Sequence, residues 1–172
     1  QRLYAEYISN SSEQMQLYIR TLIDISRAAT GYQLRMENVD LPAYVEQLRG
    51  QIDALCQTKK IGLQMEIEHL PALLSADKLL LERAIMNVVN NALDYSPQDS
   101  YISISITGNK GCLQISVTDA GPGFSQEDLL HAEEQFYMAD HSRSSNLHFG
   151  MGLFITKSIV RQHGGQLILN NS

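Results

Sequence analysis

Three asparagines lie close together in one stretch of the chain, Asn87, Asn90 and Asn91. The surrounding apolar spacing predicts a helix here, where asparagine is unfavourable because its amide competes for backbone hydrogen bonds. Asn87 and Asn91 are four residues apart and share one helix face, with Asp94 and Tyr95 one turn further on. Amide groups on one face can offer oxygen ligands to Mg²⁺ and donors to phosphate. Taken alone, the pattern is better explained by a solvated polar face.

A second group of residues that could bind a ligand follows an apolar strand. Asp119, Gly121 and Gly123 form a DxGxG pattern. An ionised carboxylate can accept a hydrogen bond from the exocyclic amine of a base, and glycines let the backbone approach a flat ring. The string DAGPG is equally good turn chemistry, so a simple turn remains an alternative at this point.

The third group opens an apolar helix and contains Gly150, Gly152 and Leu153. Glycines at a helix start leave backbone N–H groups available to an anion, and the helix dipole favours negative charge there. A GxG pattern by itself is weak evidence. The sequence contains no GxxxxGK[ST] string, so any nucleotide is not bound through a P-loop.

The elements that must position these groups follow from the hydropathy pattern. Residues 108–111 predict a hairpin turn and therefore an antiparallel strand pair. The predicted fold class is an α/β (α+β) two-layer sandwich, with a mixed sheet covered by helices on one face and a long helix in front. The predicted helices span residues 4–29, about 42–58, about 78–95, a short stretch from about 126, and 150–163; the predicted strands span 33–39, 63–67, 101–107, 113–118 and 166–169.

The first predicted helix, residues 4–29, carries an apolar heptad seam. Such a seam favours a partner helix in a bundle or a dimer, although the helix could also pack on its own domain. The string at 10–12 is an alternative turn between two shorter helices.

Length and composition limit the possible classes. The chain has 172 residues, which suits one domain with an appendage, and 13 Lys plus Arg against 19 Asp plus Glu give a net charge of −6. Nucleic acid is therefore not an expected partner. Cys56 and Cys112 lie in no zinc-binding pattern and are expected to be buried, reduced thiols. No stretch is apolar enough to span a bilayer, and since the sequence starts at Gln1, we expect a piece of a longer protein.

Taken together and in this order, the motifs resemble the ATP-binding domain of sensor histidine kinases, in the GHKL superfamily shared with gyrase-type ATPases and mismatch-repair MutL proteins. The resemblance starts near residue 34 and implies a Bergerat-type ATP-binding fold over 32–172. The leading helix, within 1–31, resembles the second helix of the family's dimerisation and phosphotransfer hairpin. The matching strings are NVVNNALDYSP (87–97), DAGPGFS (119–125), EQFYMAD (134–140) and GMGLFITKSIVRQHGG (150–165).

The resemblance implies a role for each matching residue. Asn91 corresponds to the Mg²⁺ ligand and Asp119 to the carboxylate that reads adenine. Residues 136–149 correspond to the ATP lid. The remaining implied nucleotide contacts are Asn87 and Asp94 toward the phosphates, Tyr95 beside adenine or ribose, Gly121 and Gly123 in the adenine loop, Arg143 in the lid, and Gly150, Gly152 and Leu153 beneath the triphosphate.

The implied function is transfer of the γ-phosphoryl group of ATP to a histidine outside this segment, for relay to a response regulator. None of the five histidines has the sequence context of the family's phosphoacceptor. The resemblance also implies Mg²⁺, a homodimer in the full-length protein, and the cytoplasmic portion of a membrane-anchored sensor.

Two alternatives stay open at this stage. Gyrase-like hydrolysis is disfavoured because that class has a glutamate base where this chain has Asn87, and an amide cannot accept a proton. A non-catalytic regulatory module with weak nucleotide binding is favoured by Asp94, where the family often has a basic residue, and by His148, where it has the first glycine of its box.

Overall fold

The computed structural model describes residues 34–109, 112–125, 129 and 152–171. The predicted helix over 4–29, most of the short helix from about 126, and the stretch corresponding to the ATP lid lie outside these residues. The described elements are, in chain order, β1 (Glu37–Asp40), α1 (Leu41–Lys59), β2 (Gly62–Glu68), β3 (Leu73–Ala76), α2 (Lys78–Tyr95), β4 (Tyr101–Asn109), β5 (Cys112–Thr118) and α3 (Gly152–Gln162).

The larger described sheet has the strand order β2-β4-β5. β2 is parallel to β4, and β4 is antiparallel to β5, which confirms the predicted mixed sheet and its antiparallel strand pair. β4 extends to Asn109, two residues into the predicted turn. The register places Met65, Ile104 and Val117 side by side on one face. The neighbouring positions Glu66, Ser105 and Ser116 form a polar row on the other face. One face is therefore apolar and one polar, as expected for a sheet covered by helices on one side.

The core lies between the apolar face of this sheet and the helices α1 and α2. Ile52 of α1, Val89 of α2 and Ile104 of β4 belong to one buried cluster and are almost fully excluded from solvent. The burial of this cluster's apolar side chains holds the helical layer on the sheet. The described part of the chain thus has the predicted two-layer architecture.

Capping residues set the starts of the first two helices. The Asp40 carboxylate accepts a hydrogen bond from the Ala43 N–H at 3.1 Å, so α1 begins one residue before the predicted start at Pro42. The Asp77 carboxylate accepts from the Leu80 N–H at 3.1 Å, which confirms the predicted cap of α2. Both α2 boundaries match the prediction because a local cap and a helix-ending SP pair determine them.

The strand β3 is absent from the prediction. It pairs antiparallel with β1 in a separate two-stranded sheet, with Asn38 opposite Ser75. Each strand has only four residues, too few for a period to be recognised, and each pairs with the other although α1 and β2 lie between them in the sequence. The first strand begins at Glu37, whereas the prediction started it at residue 33.

Two further expectations are wrong. Residues 166–169 do not form the predicted strand, although Leu167 and Leu169 are half-buried while Ile168 is 67% exposed. The alternation is real, but no backbone ladder joins this segment to a described strand. Cys112 is exposed instead of buried, because it precedes the inward-facing Leu113 in the alternation of β5; Cys56 is buried as expected, and both are free thiols.

Candidate functional site

The side-chain amide of Asn87 connects α2 to the start of α3. Its Nδ2 group donates to the carbonyl of Gly152, with 3.2 Å between the atoms. A Cβ on Gly152 would lie 3.9 Å from the Cβ of Asn87, so the two backbones approach closely without a clash. The structure thus brings together one residue from the asparagine group and one from the glycine pair.

Thr156 strengthens the same junction, although it is not among the predicted site residues. Its side chain is almost fully buried, and its hydroxyl lies 2.9 Å from the Gly152 carbonyl oxygen and 3.3 Å from the Ala84 carbonyl oxygen. A hydroxyl has one proton to donate, so it satisfies these carbonyls alternately or with a shared bond. Since Thr156 lies four residues after Gly152, its position on α3 is the one signal that could have revealed this contact.

The DxGxG loop packs against the carboxyl end of α2. The Gly121 N–H donates to Oδ1 of Asp119 at 2.8 Å, closing a tight local turn. A Cβ on Gly121 would lie 3.1 Å from the Tyr95 carbonyl oxygen and 2.6 Å from Asp119 Oδ1. Only a glycine allows the loop to lie this close to α2. Asp119 and Tyr95 are therefore brought to one place, as the predicted site requires.

The exit of this loop is held by a distant residue. Asn171 Oδ1 accepts from the Phe124 N–H, and Asn171 Nδ2 donates to the Phe124 carbonyl, both at 2.8 Å. The preceding Gly123 has a φ of 72°, a conformation that other residues rarely adopt. Asn171 belongs to none of the sequence motifs, because no local pattern links residues 47 positions apart.

Asn91 lies one turn after Asn87 on α2 and is half-buried. Among the residues that the structure describes, its side-chain amide has no hydrogen-bond partner. Its oxygen is therefore available to coordinate a metal ion, and an amide oxygen is a ligand type that Mg²⁺ accepts. Within the same described residues, no cluster of three His, Cys, Asp or Glu side chains could hold a metal ion, so a carboxylate-rich site is not formed there.

Asp94 forms an ion pair with the ammonium group of Lys59, at the end of α1. The Asp94 side chain is 22% exposed and that of Lys59 40% exposed. The carboxylate is thus neutralised by a cation from a different helix. The sequence pattern around Asp94 does not indicate this partner, because pairing between the ends of α1 and α2 depends on how the helices pack.

His163 sets the relative position of α2 and α3 at the other end of α2. Its Nε2 accepts a hydrogen bond from the Asp77 N–H at 3.0 Å, and its Nδ1 lies 2.8 Å from the Ile159 carbonyl oxygen. This pairing requires the neutral tautomer with the proton on Nδ1. The ring therefore has a structural role at the end of α3, as the sequence indicated.

Two of the predicted site residues, Arg143 and Gly150, lie outside the described residues, as does His148. Leu153 follows Gly152 in the first turn of α3 and is half-buried. The remaining predicted residues occupy α2, the loop after β5 and the start of α3. Within the described part of the chain, no helix has the length and apolar character needed to cross a membrane.

Comparison with known proteins gives a consistent result. The family model described as histidine kinase-, DNA gyrase B-, and HSP90-like ATPase matches residues 76–172. The chain is 34% identical over 169 residues to the sensor histidine kinase SpaK of Bacillus subtilis, covering 98% of this chain and 37% of SpaK. It is 30% identical over 170 residues to the sensor-like histidine kinase SenX3 of Mycolicibacterium smegmatis, covering 98% of this chain and 44% of that protein. The chain therefore spans less than half the length of these relatives.

Solved structures share the fold. Full-length ShkA in complex with AMPPNP matches with a TM-score of 0.80 at 20% identity, over 98% of this chain and 36% of ShkA. The catalytic domain of the histidine kinase ThkA matches with a TM-score of 0.69 at 18% identity, over 81% of this chain and 90% of that domain. These likenesses confirm the predicted α/β fold. With the family match and the sequence relatives, they show that the chain is homologous to sensor histidine kinases and belongs to the histidine kinase-, DNA gyrase B- and HSP90-like ATPase family.

Proposed function

We propose that this chain is the ATP-binding catalytic part of a sensor histidine kinase, which transfers the γ-phosphoryl group of ATP to a histidine outside this segment. The observation that carries the proposal is the convergence of three motifs on α2. Gly121 of the DxGxG loop lies against Tyr95, and Asn87 is bonded to Gly152. One helix thus organises a loop suited to a base and a helix start suited to phosphate.

The adenine end of the site would be formed by Asp119 and its turn. Oδ1 of Asp119 is occupied by the Gly121 N–H, and among the described residues Oδ2 accepts no hydrogen bond. Oδ2 is therefore available for the exocyclic amine of adenine, while Oδ1 fixes the orientation of the carboxylate. Tyr95 lies beside the same turn and would cover the base or ribose.

The phosphate end would be formed by Asn91 and the first turn of α3. The unpartnered amide oxygen of Asn91 fits a hard cation, and the N–H groups at the start of α3 fit an anion. A bound Mg²⁺ would neutralise charge on the phosphate oxygens. Phosphoryl transfer depends mostly on positioning and charge neutralisation, so the protein needs to supply few reacting groups here.

Slow hydrolysis is expected from the same geometry. Asn87 stands where gyrase-type enzymes have a glutamate base, and its amide donates to Gly152. An amide cannot accept a proton from water, so water is poorly activated. The γ-phosphoryl group would instead go to a histidine on another helix and then to a response regulator.

The rest of the protein follows from the same proposal. Residues 1–31 would be the second helix of a dimerisation and phosphotransfer hairpin, in a homodimer, with 32–172 as the catalytic domain. The cytoplasmic side of a membrane-anchored sensor is the proposed location.

The alternative of a non-catalytic regulatory module gains no support from the described residues. It depended on Asp94 repelling phosphate, and the ammonium group of Lys59 neutralises that carboxylate. Its other basis, His148, lies outside the described residues.

Calorimetric titration with Mg-ATP tests the proposal. We expect saturable binding by the unmodified chain, a loss of binding in Asp119→Asn, and weaker binding when EDTA removes Mg²⁺. Glu66→Gln is the matched control, because it also removes one carboxylate but lies on the polar face of the sheet. Absence of heat at millimolar Mg-ATP would contradict the kinase proposal and favour the regulatory module.

A further inference from the structure

Asn171 forms a peptide-like pair with the backbone of Phe124. Its amide oxygen accepts from the Phe124 N–H and its amide nitrogen donates to the Phe124 carbonyl, both at 2.8 Å. A side-chain amide has the same donor and acceptor as a peptide group. The two bonds therefore reproduce the doubly bonded residue pair of an antiparallel ladder, in a segment that forms no described strand.

This pair acts on one defined part of the loop. Residues 119–125 leave β5 without strand pairing, and Gly121 lies so close to Tyr95 that a side chain there would meet the Tyr95 carbonyl oxygen. Asn171 fixes the loop three residues later, at Phe124. A Cβ on Gly123 would lie 2.9 Å from Asn171 Oδ1. The second glycine of the DxGxG pattern is therefore favoured for two reasons, the close approach of Asn171 and the positive φ at this position.

We infer that Asn171 is a positioning residue for nucleotide binding, acting through Gly123 and Phe124 on the loop that carries Asp119. The inference rests on the proposed function. Ordering a loop costs conformational entropy for each residue that is fixed. A loop that is already restrained at Phe124 loses less conformational entropy when it binds its ligand, so Asn171 increases affinity without contacting the nucleotide.

Two substitutions separate the hydrogen bonds from the volume of the side chain. Asn171→Ala removes both bonds. Asn171→Asp keeps the shape, but it has no amide donor and places a carboxylate oxygen against the Phe124 carbonyl. Asn170→Ala is the matched control, because Asn170 is the neighbouring asparagine, is exposed like Asn171, and has no hydrogen bond among the described residues.

The experiment measures binding of Mg-ATP and Mg-GTP by calorimetry, together with the thermal unfolding midpoint, for the chain and the three variants. We expect the Kd for Mg-ATP to rise about three- to fivefold in Asn171→Ala and comparably in Asn171→Asp, because both hydrogen bonds are exposed to solvent and each has a small net free energy. We also expect the preference for ATP over GTP to fall, because the orientation of Asp119 is less defined. Asn170→Ala should bind as the unmodified chain does.

The other outcomes contradict the inference in distinguishable ways. Unchanged affinity and base preference in both Asn171 variants would overturn it and leave the proposed function intact. Equal losses for both nucleotides, with a matching fall in the unfolding midpoint, would also overturn it, since that result describes a purely structural residue. If the unmodified chain binds no nucleotide, the proposed function fails and the inference fails with it.

Discussion

The ring of His163 joins the end of α3 to the start of α2 by accepting a hydrogen bond from the Asp77 backbone N–H at 3.0 Å. The Asp77 carboxylate at the same point caps α2 and accepts from the Arg35 N–H at 3.0 Å. One buried aspartate therefore connects three segments: the chain before β1, the start of α2 and, through His163, the end of α3. The candidate site lies further along these two helices, so its geometry depends on this connection.

Replacing His163 should reduce stability. In His163→Ala the Asp77 N–H loses its partner, and leaving such a donor unsatisfied costs about 1–3 kcal/mol. Urea denaturation should show a lower midpoint for this variant. His69→Ala is the control, because the His69 side chain is 80% exposed and its removal should leave the midpoint nearly unchanged. Equal midpoints for the two variants would show that the His163 contact contributes little.

The ion pair between Lys59 and Asp94 predicts an unusual order of affinities. Lys59→Ala leaves a carboxylate without this counter-ion one turn from Asn91, so we expect Mg-ATP to bind a few-fold more weakly. The double variant Lys59→Ala/Asp94→Ala should recover the affinity, since it removes both charges. Calorimetry on the single and double variants measures this directly. A double variant that binds no better than Lys59→Ala would show that the Asp94 charge does not reach the phosphates.

Two glycine substitutions should affect different properties, one reducing nucleotide binding and the other increasing stability. Gly121→Ala places a Cβ 2.6 Å from Asp119 Oδ1 and 3.1 Å from the Tyr95 carbonyl oxygen, so the loop must move and Mg-ATP binding should be lost. Gly50→Ala meets no atom within 4 Å in the middle of α1. Since alanine is favoured over glycine in helices, it should raise the free energy of unfolding by about 0.5–1 kcal/mol. Nucleotide titration and urea denaturation distinguish the two, and unchanged binding in Gly121→Ala would contradict the packing described for the loop.

Tyr44 provides a prediction about pH. Burial, with a smaller contribution from the negative charge of Glu82, raises the pKa of the Tyr44 hydroxyl above its ordinary value. The folded state therefore favours the protonated phenol. The stability associated with this group is present below the ordinary tyrosine pKa, about 10, and is lost as the pH rises above it.

Tyr44→Phe should reveal this effect. The Tyr44 hydroxyl is buried and has no hydrogen-bond partner among the described residues, so its removal should be neutral or stabilising at pH 7. At alkaline pH the variant should exceed the unmodified chain by a larger margin, because it has no phenol to ionise. Urea midpoints at both pH values measure the difference, and a constant margin would show that Tyr44 does not cause the alkaline loss.

Local residue patterns were sufficient to predict several helices and strands of this protein and its family. The Asp77 cap, the apolar alternation around Ile104 and the hairpin turn defined α2, β4 and β5, because each depends on interactions between neighbours in sequence. The motifs containing Asn91, Asp119 and Gly152 were sufficient to indicate the family, because their residue types and their order along the chain can be recognised without knowing any tertiary contact.

Tertiary structure decided the rest. The pairing of β1 with β3 and the failure of residues 166–169 to form a strand depend on which backbone groups find partners across the fold. The contacts of Lys59 with Asp94 and of Asn171 with Phe124 join residues 35 and 47 positions apart. No local pattern encodes such pairs, because their free energy exists only once the helices and the loop have been packed together.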